Sequence, residues 1–385
     1  MNRGGTMSKK IISKVLLEVA DAIETGNFGK KVKVGLTTLG SEHGVDNLLQ
    51  GATLAKNSLF DIVLIGQGQE GFESYETENE EEAHKTMEDL LDKGEIAACV
   101  TMHYNFPIGV STVGRVITPA RGCEMLLATT TGTSATNRVE AMVRNTLYGI
   151  ATAKSLGIEN PTVGIANVEG ARQVEKILLE LKDNGYSFEF ATSQRADGGS
   201  VMRGNDLLMA TPDVMVVDSL TGNLFMKVFS AFNTGGDYEA SGYGYGPGVG
   251  ENYDRRILIL SRASGSPVVA NALKYAFEIA QGKVNEIAKL EFDKANSAKF
   301  GELISKLKVK KEGSNSEEVK VPEKEVVTSQ ISGVDILDLE DATKVLWKHG
   351  IYAESGMGCT GPIVLVNSSK KPNAKEILKD AGYIS

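Results

Sequence analysis

The first two-thirds of the chain alternates short apolar runs with longer stretches in which apolar residues recur at helical spacing. Most of the short runs are continuously apolar, which is typical of strands buried on both faces of a sheet. Eight runs predict strands: Lys33–Leu39, Asp61–Gly66, Ala97–Met102, Glu124–Thr130, Thr162–Asn167, Phe188–Thr192, Val214–Asp218 and Ile257–Ser261. The alternation of strands with helices favours an α/β fold with a mainly parallel sheet.

Helical periods fill the segments between these runs and most of the last third of the chain. Residues 308–330 interrupt the pattern, since they are rich in Lys, Glu, Ser and Val, and they predict an exposed linker or, in part, an edge strand. The predicted helices are Asn137–Leu156, Ala171–Asn184, one or two long helices over Ser266–Lys308, Leu339–His349 and Asn373–Ala381, with one further strand at Ile363–Val366. We therefore expect an N-terminal helix in 1–30, an α/β domain over 31–307, the linker, and a small C-terminal segment over 331–385.

Composition narrows the class of protein. The chain has 385 residues, of which 41% are hydrophobic and 24% are charged, so we expect a folded globular protein. Its net charge of −9 argues against nucleic acid or an anionic membrane as a partner. No apolar run approaches the roughly 18 residues of a membrane span, and no signal-peptide core is present. Only three cysteines occur, which favours a reducing, cytoplasmic location.

A literal G-x-G-x-x-G sequence at Gly66–Gly71 does not indicate a dinucleotide site. It is followed by the polar and acidic segment Phe72–Glu76, where carboxylates would repel a pyrophosphate. We interpret it as a glycine-rich turn and expect no bound nicotinamide or flavin. The acidic run Glu76–Glu82 predicts a solvated helix start, with His84 exposed on the same helix.

One cysteine differs from the other two. Cys99 and Cys123 lie in or beside apolar runs, which favours burial. Cys359 lies among three glycines, just before the strand at Ile363–Val366. Such a segment lets a carbonyl substrate approach and lets backbone N–H groups converge on a thiolate or oxyanion, so we predict a nucleophile, with a buried structural cysteine as the alternative. No second Cys or His at ligand spacing indicates a metal site.

His103 and His349 are the remaining candidates for acid–base chemistry. His103 follows the strand at Ala97–Met102, and ligands bind at the carboxyl ends of parallel strands. We therefore consider it a candidate base, with a structural histidine as the alternative. His349 stands at a helix end, where capping is at least as good an explanation.

Three segments combine glycine with hydroxyl residues before a predicted helix: Thr129–Ser134, Asp218–Asn223 and Ser261–Pro267. Helix N-termini present unpaired N–H groups, so each segment is either an anion-binding loop or a simple helix cap. The candidates for binding a phosphate are Arg262, Ser264, Gly265, Ser266 and Asn223. The glycine- and tyrosine-rich stretch Tyr238–Gly250 predicts a mobile flap or a flexible surface loop.

The segments Asp218–Lys227, Ser261–Pro267 and Gly157–Asn167 resemble the phosphate acyltransferases of phospholipid synthesis. The resemblance covers residues 31–290 and implies a three-layer α/β/α fold like that of isocitrate and isopropylmalate dehydrogenases. It also implies acyl transfer between a thioester and inorganic phosphate. The family's opening Asp-x-Met-Gly-Gly-Asp is replaced here by Leu36–Ser41, and its Ser-His-Gly by 264–266.

With the segment around Cys359 included, the whole chain resembles the alpha subunits of component C of glycine, sarcosine and betaine reductases. The resemblance implies a selenoprotein partner, component A, that carries a carboxymethyl group on selenium, and a component C beta subunit in a hetero-oligomer. Cys359 would carry the acetyl thioester, with Gly358, Thr360 and Gly361 shaping the oxyanion site. Inorganic phosphate would release acetyl phosphate, and no bound cofactor is implied.

Two alternatives stay open. In the first, the chain would be a free-standing phosphate acyltransferase that acts on acyl-carrier protein or coenzyme A thioesters without a covalent intermediate. In the second, the chain would be a non-catalytic scaffold subunit. The loss of the Asp-x-Met-Gly-Gly-Asp motif would favour this alternative.

Overall fold

The computed structural model describes residues 19–20, 31–196, 198–312, 319, 321–335, 338–358 and 361–384. The predicted N-terminal helix therefore lies outside the described residues, apart from Val19 and Ala20. No helix among the residues covered combines the length and the apolar character that a membrane crossing requires.

Twelve strands form one sheet, in the order β3-β2-β1-β4-β12-β11-β5-β6-β10-β7-β8, with β9 also paired to β7. Each of the eight predicted strands is confirmed, with ends that differ by at most three residues. The strands are β1 Val32–Thr37, β2 Phe60–Ile65, β3 Glu73–Tyr75, β4 Ala98–Thr101, β5 Val110–Ile117, β6 Glu124–Thr133, β7 Thr162–Ala166, β8 Glu189–Phe190, β9 Val201–Met202, β10 Val214–Val216, β11 Gly246–Gly250 and β12 Ile257–Ile259.

The two halves of this sheet run in opposite directions. Strands β3, β2, β1, β4 and β12 are mutually parallel, as are β6, β10, β7, β8 and β9. Three antiparallel pairings, β12–β11, β11–β5 and β5–β6, lie between the halves. The carboxyl ends of β1, β4 and β12 therefore lie at one edge, and those of β6, β10 and β7 lie at the opposite edge.

Helices cover both faces of the sheet, which confirms the predicted three-layer architecture. On β2, Ile62 and Leu64 belong to one buried cluster while Val63 and Ile65 belong to another, as strand geometry requires. The helices are α1 Gly44–Ala55, α2 Glu80–Asp92, α3 Arg138–Ser155, α4 Ala171–Asp183, α5 Gly204–Met209, α6 Ser219–Ala231, α7 Ser266–Gln281, α8 Val284–Ser297, α9 Phe300–Glu312, α10 Leu339–Lys348 and α11 Lys371–Asp380. Helices α1, α3, α4, α7 and α8 pack on one face, with α2 and α6 on the other.

The prediction of a mobile flap or a flexible surface loop over Tyr238–Gly250 is wrong for the second half of that stretch. Residues Gly246–Gly250 form a fully buried strand between β12 and β5. Glycine is required there because the backbones approach closely: Gly246 has φ +87°, and a Cβ on it would lie 1.9 Å from the carbonyl oxygen of Val113. Glycines are poor strand formers in general, so the sequence pattern concealed a central strand.

We expect Gly246→Ala to destabilise the fold by about 3 kcal/mol or more, because it combines a backbone clash with a left-handed conformation. Gly301→Ala is the matched control, since Gly301 is at an exposed position of helix α9 and a Cβ there would meet nothing within 4 Å. That control should stabilise the protein by about 0.5–1 kcal/mol. Denaturant unfolding measures both, and a Gly246→Ala midpoint equal to that of the wild type would contradict the packing described.

The segment Ser266–Lys308 contains three helices rather than one or two. Lys283 and Lys299 have φ values of +54° and +68°, so the chain leaves the right-handed helical conformation between α7 and α8 and again before α9. A single left-handed residue ends a helix without any proline or glycine signal at that position. Helix α9 continues to Glu312, so it covers the first residues of the predicted linker.

The C-terminal segment has its own three-stranded antiparallel sheet, in the order β13 Ser329–Ser332, β15 Gly361–Val366 and β14 Ala353–Gly358. Helices α10 and α11 cover it around a separate apolar core that includes Leu346 and Val364. One hydrogen bond from Lys176 Nζ on α4 to the Gly382 carbonyl, at 3.3 Å, links this segment to the main sheet.

Candidate functional site: an anion cleft at one sheet edge

Charged and hydroxyl side chains meet at the carboxyl ends of β1, β4 and β12, which are neighbours in the sheet. Thr37 and Thr101 end β1 and β4, and their hydroxyl oxygens lie 2.8 Å apart. Ser261 and Arg262 follow β12. Open α/β sheets bind ligands at this edge, so we call this region the anion cleft.

Lys227 reaches the anion cleft from helix α6. Its ammonium donates to Ser261 Oγ at 2.6 Å and to Glu239 Oε1 at 2.5 Å. Glu239 is only 1% exposed, and its other carboxylate oxygen accepts from Ser264 Oγ at 2.9 Å. Lys227, Glu239, Ser261 and Ser264 therefore form one hydrogen-bonded group, which we call the Lys227–Glu239 network.

The network fixes the charge of Lys227. Burial alone lowers the pKa of the ammonium, but the hydrogen bond and charge of Glu239 outweigh burial, so the pKa is raised overall. Lys227 is thus a permanent cation at neutral pH rather than a base. Burial also raises the pKa of the neighbouring Tyr245, which keeps the phenol protonated as a hydrogen-bond donor.

Arg262 is the second cation of the cleft. Its guanidinium donates to both oxygens of Glu80, at 3.1 and 2.9 Å, and to the carbonyl oxygen of Gly40 at 3.1 Å. The side chains of Arg262 and Glu80 are 43% and 40% exposed, so this pair faces solvent. Lys227 contacts Ser261, and Arg262 is the next residue along the chain. Two cations therefore lie near the carboxyl end of β12.

The other residues predicted to bind phosphate differ in what they contact. Ser264 and Gly265 donate to Glu239, from the hydroxyl of one and the backbone N–H of the other, so both donors serve the network in this structure. Asn223 lies one helical turn before Lys227 and hydrogen-bonds Tyr245. Ser266 is the half-buried first residue of α7.

The first two predicted anion-binding loops have donors that already bind acceptors within the chain. Thr129–Thr133 belongs to β6, and the hydroxyls of Thr129 and Thr130 donate to the backbone carbonyls of Thr112 and Tyr245. Asp218 caps α6 with its own carboxylate, which accepts from the N–H groups of Leu220 and Thr221. An internal carboxylate therefore already occupies the N-terminus of α6.

The prediction that His84 is solvated is wrong, because the side chain reaches back to the sheet edge. His84 Nε2 lies 3.2 Å from Thr101 Oγ1, and burial lowers the pKa of this imidazole. His103 lies on the rim, with an exposed side chain and a carbonyl that accepts from Thr101 Oγ1 at 3.4 Å. Its role as a base stays a prediction.

We expect His84 to make the stability pH-dependent. Because its pKa is lower in the folded than in the unfolded protein, its neutral form stabilises the fold above the unfolded value of about 6.5. That contribution declines as the pH falls from about 6.5 toward the lowered folded value. Urea unfolding measures the free energy of unfolding at about pH 7.5 and 5.5. The decrease between the two pH values should be smaller for His84→Gln than for the wild type, and equal decreases would refute the assignment.

Two of the three cysteines are described. Cys99 is completely buried, and burial raises the pKa of its thiol, while Cys123 is half-buried. The predicted nucleophile Cys359 and its neighbour Thr360 lie outside the described residues. Gly358 and Gly361 are the residues that flank them, and they face each other across the antiparallel pair β14–β15. The segment before Cys359 is thus the strand Ala353–Gly358.

The G-x-G-x-x-G sequence forms the expected turn. Strand β3 follows it instead of a helix, and the N–H of Gly68 donates to the carboxylate of Glu76 at 3.2 Å. A separate cavity of about 210 Å³ opens at the opposite sheet edge, beside β7 and β10, with mainly apolar walls that include Met202, Leu207 and Phe225.

Comparison with known proteins identifies the family of the chain. A family model described as fatty acid synthesis protein matches residues 32–365, and the chain belongs to that family. The alpha subunit of component C of the glycine/sarcosine/betaine reductase complex of Peptoclostridium acidaminophilum is 65% identical over 381 residues, which are 98% of this chain and 99% of that protein. This match confirms the resemblance that the Cys359 segment indicated.

Two further similar proteins match part of the chain. The phosphate acyltransferase of Thermotoga neapolitana is 27% identical over 239 residues, which are 51% of this chain and 68% of that protein. A solved branched-chain phosphotransacylase from Enterococcus faecalis covers 64% of this chain and 99% of its own, with 16% identity and a TM-score of 0.47.

Proposed function

We propose that this chain transfers an acetyl group from a protein thioester to inorganic phosphate and so forms acetyl phosphate. The observation that carries the proposal is the pair of cations, Lys227 and Arg262, beside Ser261 at the carboxyl end of β12. A phosphate dianion needs opposing charge and several donors, and an arginine fork suits its geometry. The family membership and the component C relative support the same reaction.

In this proposal the anion cleft binds phosphate through Arg262 and Lys227, with Asn223 and Ser266 on its walls. Ser264 and Gly265 act indirectly, because they hold Glu239 and thereby position Lys227. Glu239 would keep the Lys227 ammonium in place as phosphate arrives. It is therefore a positioning residue.

Cys359 is the proposed carrier of the acetyl group. A phosphate oxygen attacks the thioester carbonyl, a C–O bond forms, and the C–S bond breaks as the Cys359 thiolate leaves and takes up a proton. Backbone N–H groups at Gly358, Thr360 and Gly361 would stabilise the oxyanion of the tetrahedral intermediate. The cysteine-containing motif supports this role. His103 remains the candidate for handling the proton.

We further propose that the acetyl group originates as a carboxymethyl group on the selenium of a selenoprotein, component A. A thiol of component A would attack the selenium and break the selenium–carbon bond, which oxidises component A to a selenenyl sulfide and lets the carbon take up a proton as a methyl group. The Cys359 thiol would form the thioester at the carboxyl carbon, and the displaced oxygen would leave as water. The chain would work beside a component C beta subunit in a hetero-oligomer in the cytoplasm. The name of the 65% identical relative, an alpha subunit of a complex, supports this assignment.

Direct transfer without Cys359 is the second candidate. It is favoured because both cations belong to the α/β part of the chain, whereas the C-terminal segment accepts a hydrogen bond, at the Gly382 carbonyl, from Lys176 on α4. In that case an acyl-carrier or coenzyme A thioester would donate to phosphate in the anion cleft. Cysteine replacement distinguishes this candidate from the covalent route.

The experiment is arsenolysis of acetyl phosphate by the full chain, alone and with its beta subunit. Arsenate replaces phosphate as acceptor, and the acetyl arsenate formed hydrolyses, so acetyl phosphate disappears only if acetyl transfer is reversible. We expect arsenate-dependent loss of acetyl phosphate. Loss that appears only when coenzyme A is also added would support the direct route, because that route needs a free thiol as acetyl acceptor. No loss in any preparation, with or without coenzyme A, would support the scaffold alternative and contradict the proposed function.

A further inference from the structure

Arg262 already holds an anion in this structure, and that anion belongs to the chain. The two carboxylate oxygens of Glu80 accept from the two terminal nitrogens of the guanidinium, at 3.1 and 2.9 Å. This parallel arrangement is the one that two oxygens of a phosphate would adopt on an arginine. Glu80 therefore occupies the same donors that phosphate would use.

The two cations of the cleft differ in how tightly their carboxylates are held. Glu239 beside Lys227 is 1% exposed and receives a further hydrogen bond from the Ser264 hydroxyl, so it stays in place. Glu80 is 40% exposed, and an exposed ion pair contributes little free energy. Glu80 is thus the carboxylate that an incoming anion can displace.

Arg262 would keep its position after such an exchange. Its guanidinium also donates to the Gly40 carbonyl at 3.1 Å, and its own carbonyl accepts from the N–H of Glu42 at 2.9 Å. Gly40 has φ +87°, and a Cβ there would come within 2.9 Å of Glu80 Oε1. The glycine allows the backbone, the arginine and the glutamate to approach this closely.

Glu80 itself can move without disturbing its helix. It is the first residue of α2, and the helix is capped independently, by Asn79 accepting from the N–H of Glu82 at 2.9 Å. Rotation of the Glu80 side chain removes one negative charge from the cleft. The cleft then gains a net positive charge at the moment when an anion of nearly two charges arrives.

We propose that Glu80 is an internal competitor for phosphate: its carboxylate fills the Arg262 fork in the empty protein and sets the affinity of the cleft for the acceptor anion. This inference rests on the proposed binding of phosphate at Arg262. Glu80 then acts as an affinity-determining residue in the acidic helix start, a segment that the sequence analysis treated as merely solvated.

Calorimetric titration of the full chain with inorganic phosphate, at about 0.15 M salt, tests the proposal. We expect Glu80→Gln to bind phosphate about two- to fivefold more tightly, a range set by the strength of an exposed ion pair. Glu81→Gln is the matched control, because it removes the same charge from the next residue of the same helix. It should change the affinity far less, since solvent screens more distant charges.

The variant Arg262→Ala, alone and with Glu80→Gln, locates the effect. If the proposal holds, Glu80→Gln no longer increases affinity once Arg262 is absent. An equal gain in Glu81→Gln, or no gain in Glu80→Gln, would overturn it, as would the absence of phosphate binding in every variant. If Arg262→Ala leaves the phosphate affinity unchanged while acetyl phosphate turnover persists, this inference is overturned and the proposed reaction stays intact.

Discussion

Replacement of Cys359 by serine is expected to lower acetyl phosphate turnover by about 10³-fold or more, since removal of a covalent nucleophile abolishes the step it performs. A serine hydroxyl is a far weaker nucleophile than a thiolate at neutral pH. An ester formed on it would also be a poorer acyl donor to phosphate. The measurement is the initial rate of arsenolysis at saturating arsenate.

The other two cysteines provide the controls. Cys123→Ser removes a half-buried thiol and should leave the rate unchanged. Cys99 is completely buried with a raised thiol pKa, so it is poorly suited to attack a carbonyl. If, in an assay that contains coenzyme A as thiol acceptor, Cys359→Ser retains the wild-type rate while Arg262→Ala loses it, transfer is direct and the covalent route is wrong.

Lys227→Met is expected to affect both stability and phosphate binding. It leaves the buried Glu239 carboxylate without its cation, which costs about 2–3 kcal/mol; this is below the cost of breaking a fully buried pair, because Lys227 is 41% exposed. It also removes one of the two cations of the anion cleft. We therefore expect a lower unfolding midpoint together with phosphate binding at least about tenfold weaker.

The double variant Lys227→Met with Glu239→Gln separates the two effects. Without the buried negative charge, most of the lost stability should return, because the unpaired carboxylate causes most of the loss. Phosphate affinity should stay low, since the cation is still missing. Recovery of both properties in the double variant would show that Lys227 supports the fold but does not bind phosphate.

The sequence predicted the sheet well where strands are continuously apolar and failed where they are not. The run Val214–Asp218 contains β10, whose residues are all buried, whereas β11 consists of glycines, one proline and one valine. Strand propensity reflects packing of side chains, which glycines lack. Strand β5, Val110–Ile117, mixes Ser, Thr, Gly and Arg with valines and was likewise not predicted.

The candidate site was predicted only in part. Arg262 was identified because it lies next to a glycine- and serine-containing helix start. Glu239 and Glu80 were not, because they are 23 and 182 residues away from Arg262 in sequence and meet the cleft only in the folded chain. Lys227 carried a weak signal, as the lysine that follows the second predicted loop, Asp218–Asn223.

The prediction for Cys359 came from its glycine-rich surroundings and from a family resemblance. The described geometry adds that Gly358 and Gly361 pair at the ends of β14 and β15. A reactive thiol depends on its local electrostatics, which spacing along the chain does not reveal. Its role has to be established by chemistry.

Peptide mass spectrometry of the full chain, alone and with the proposed beta subunit, after incubation with acetyl phosphate shows whether Cys359 carries the acetyl group. We expect an acetyl group on the peptide that contains Cys359, bound as a thioester and discharged when phosphate or arsenate is added. Turnover of acetyl phosphate with no acetylated Cys359 peptide in either preparation would contradict it.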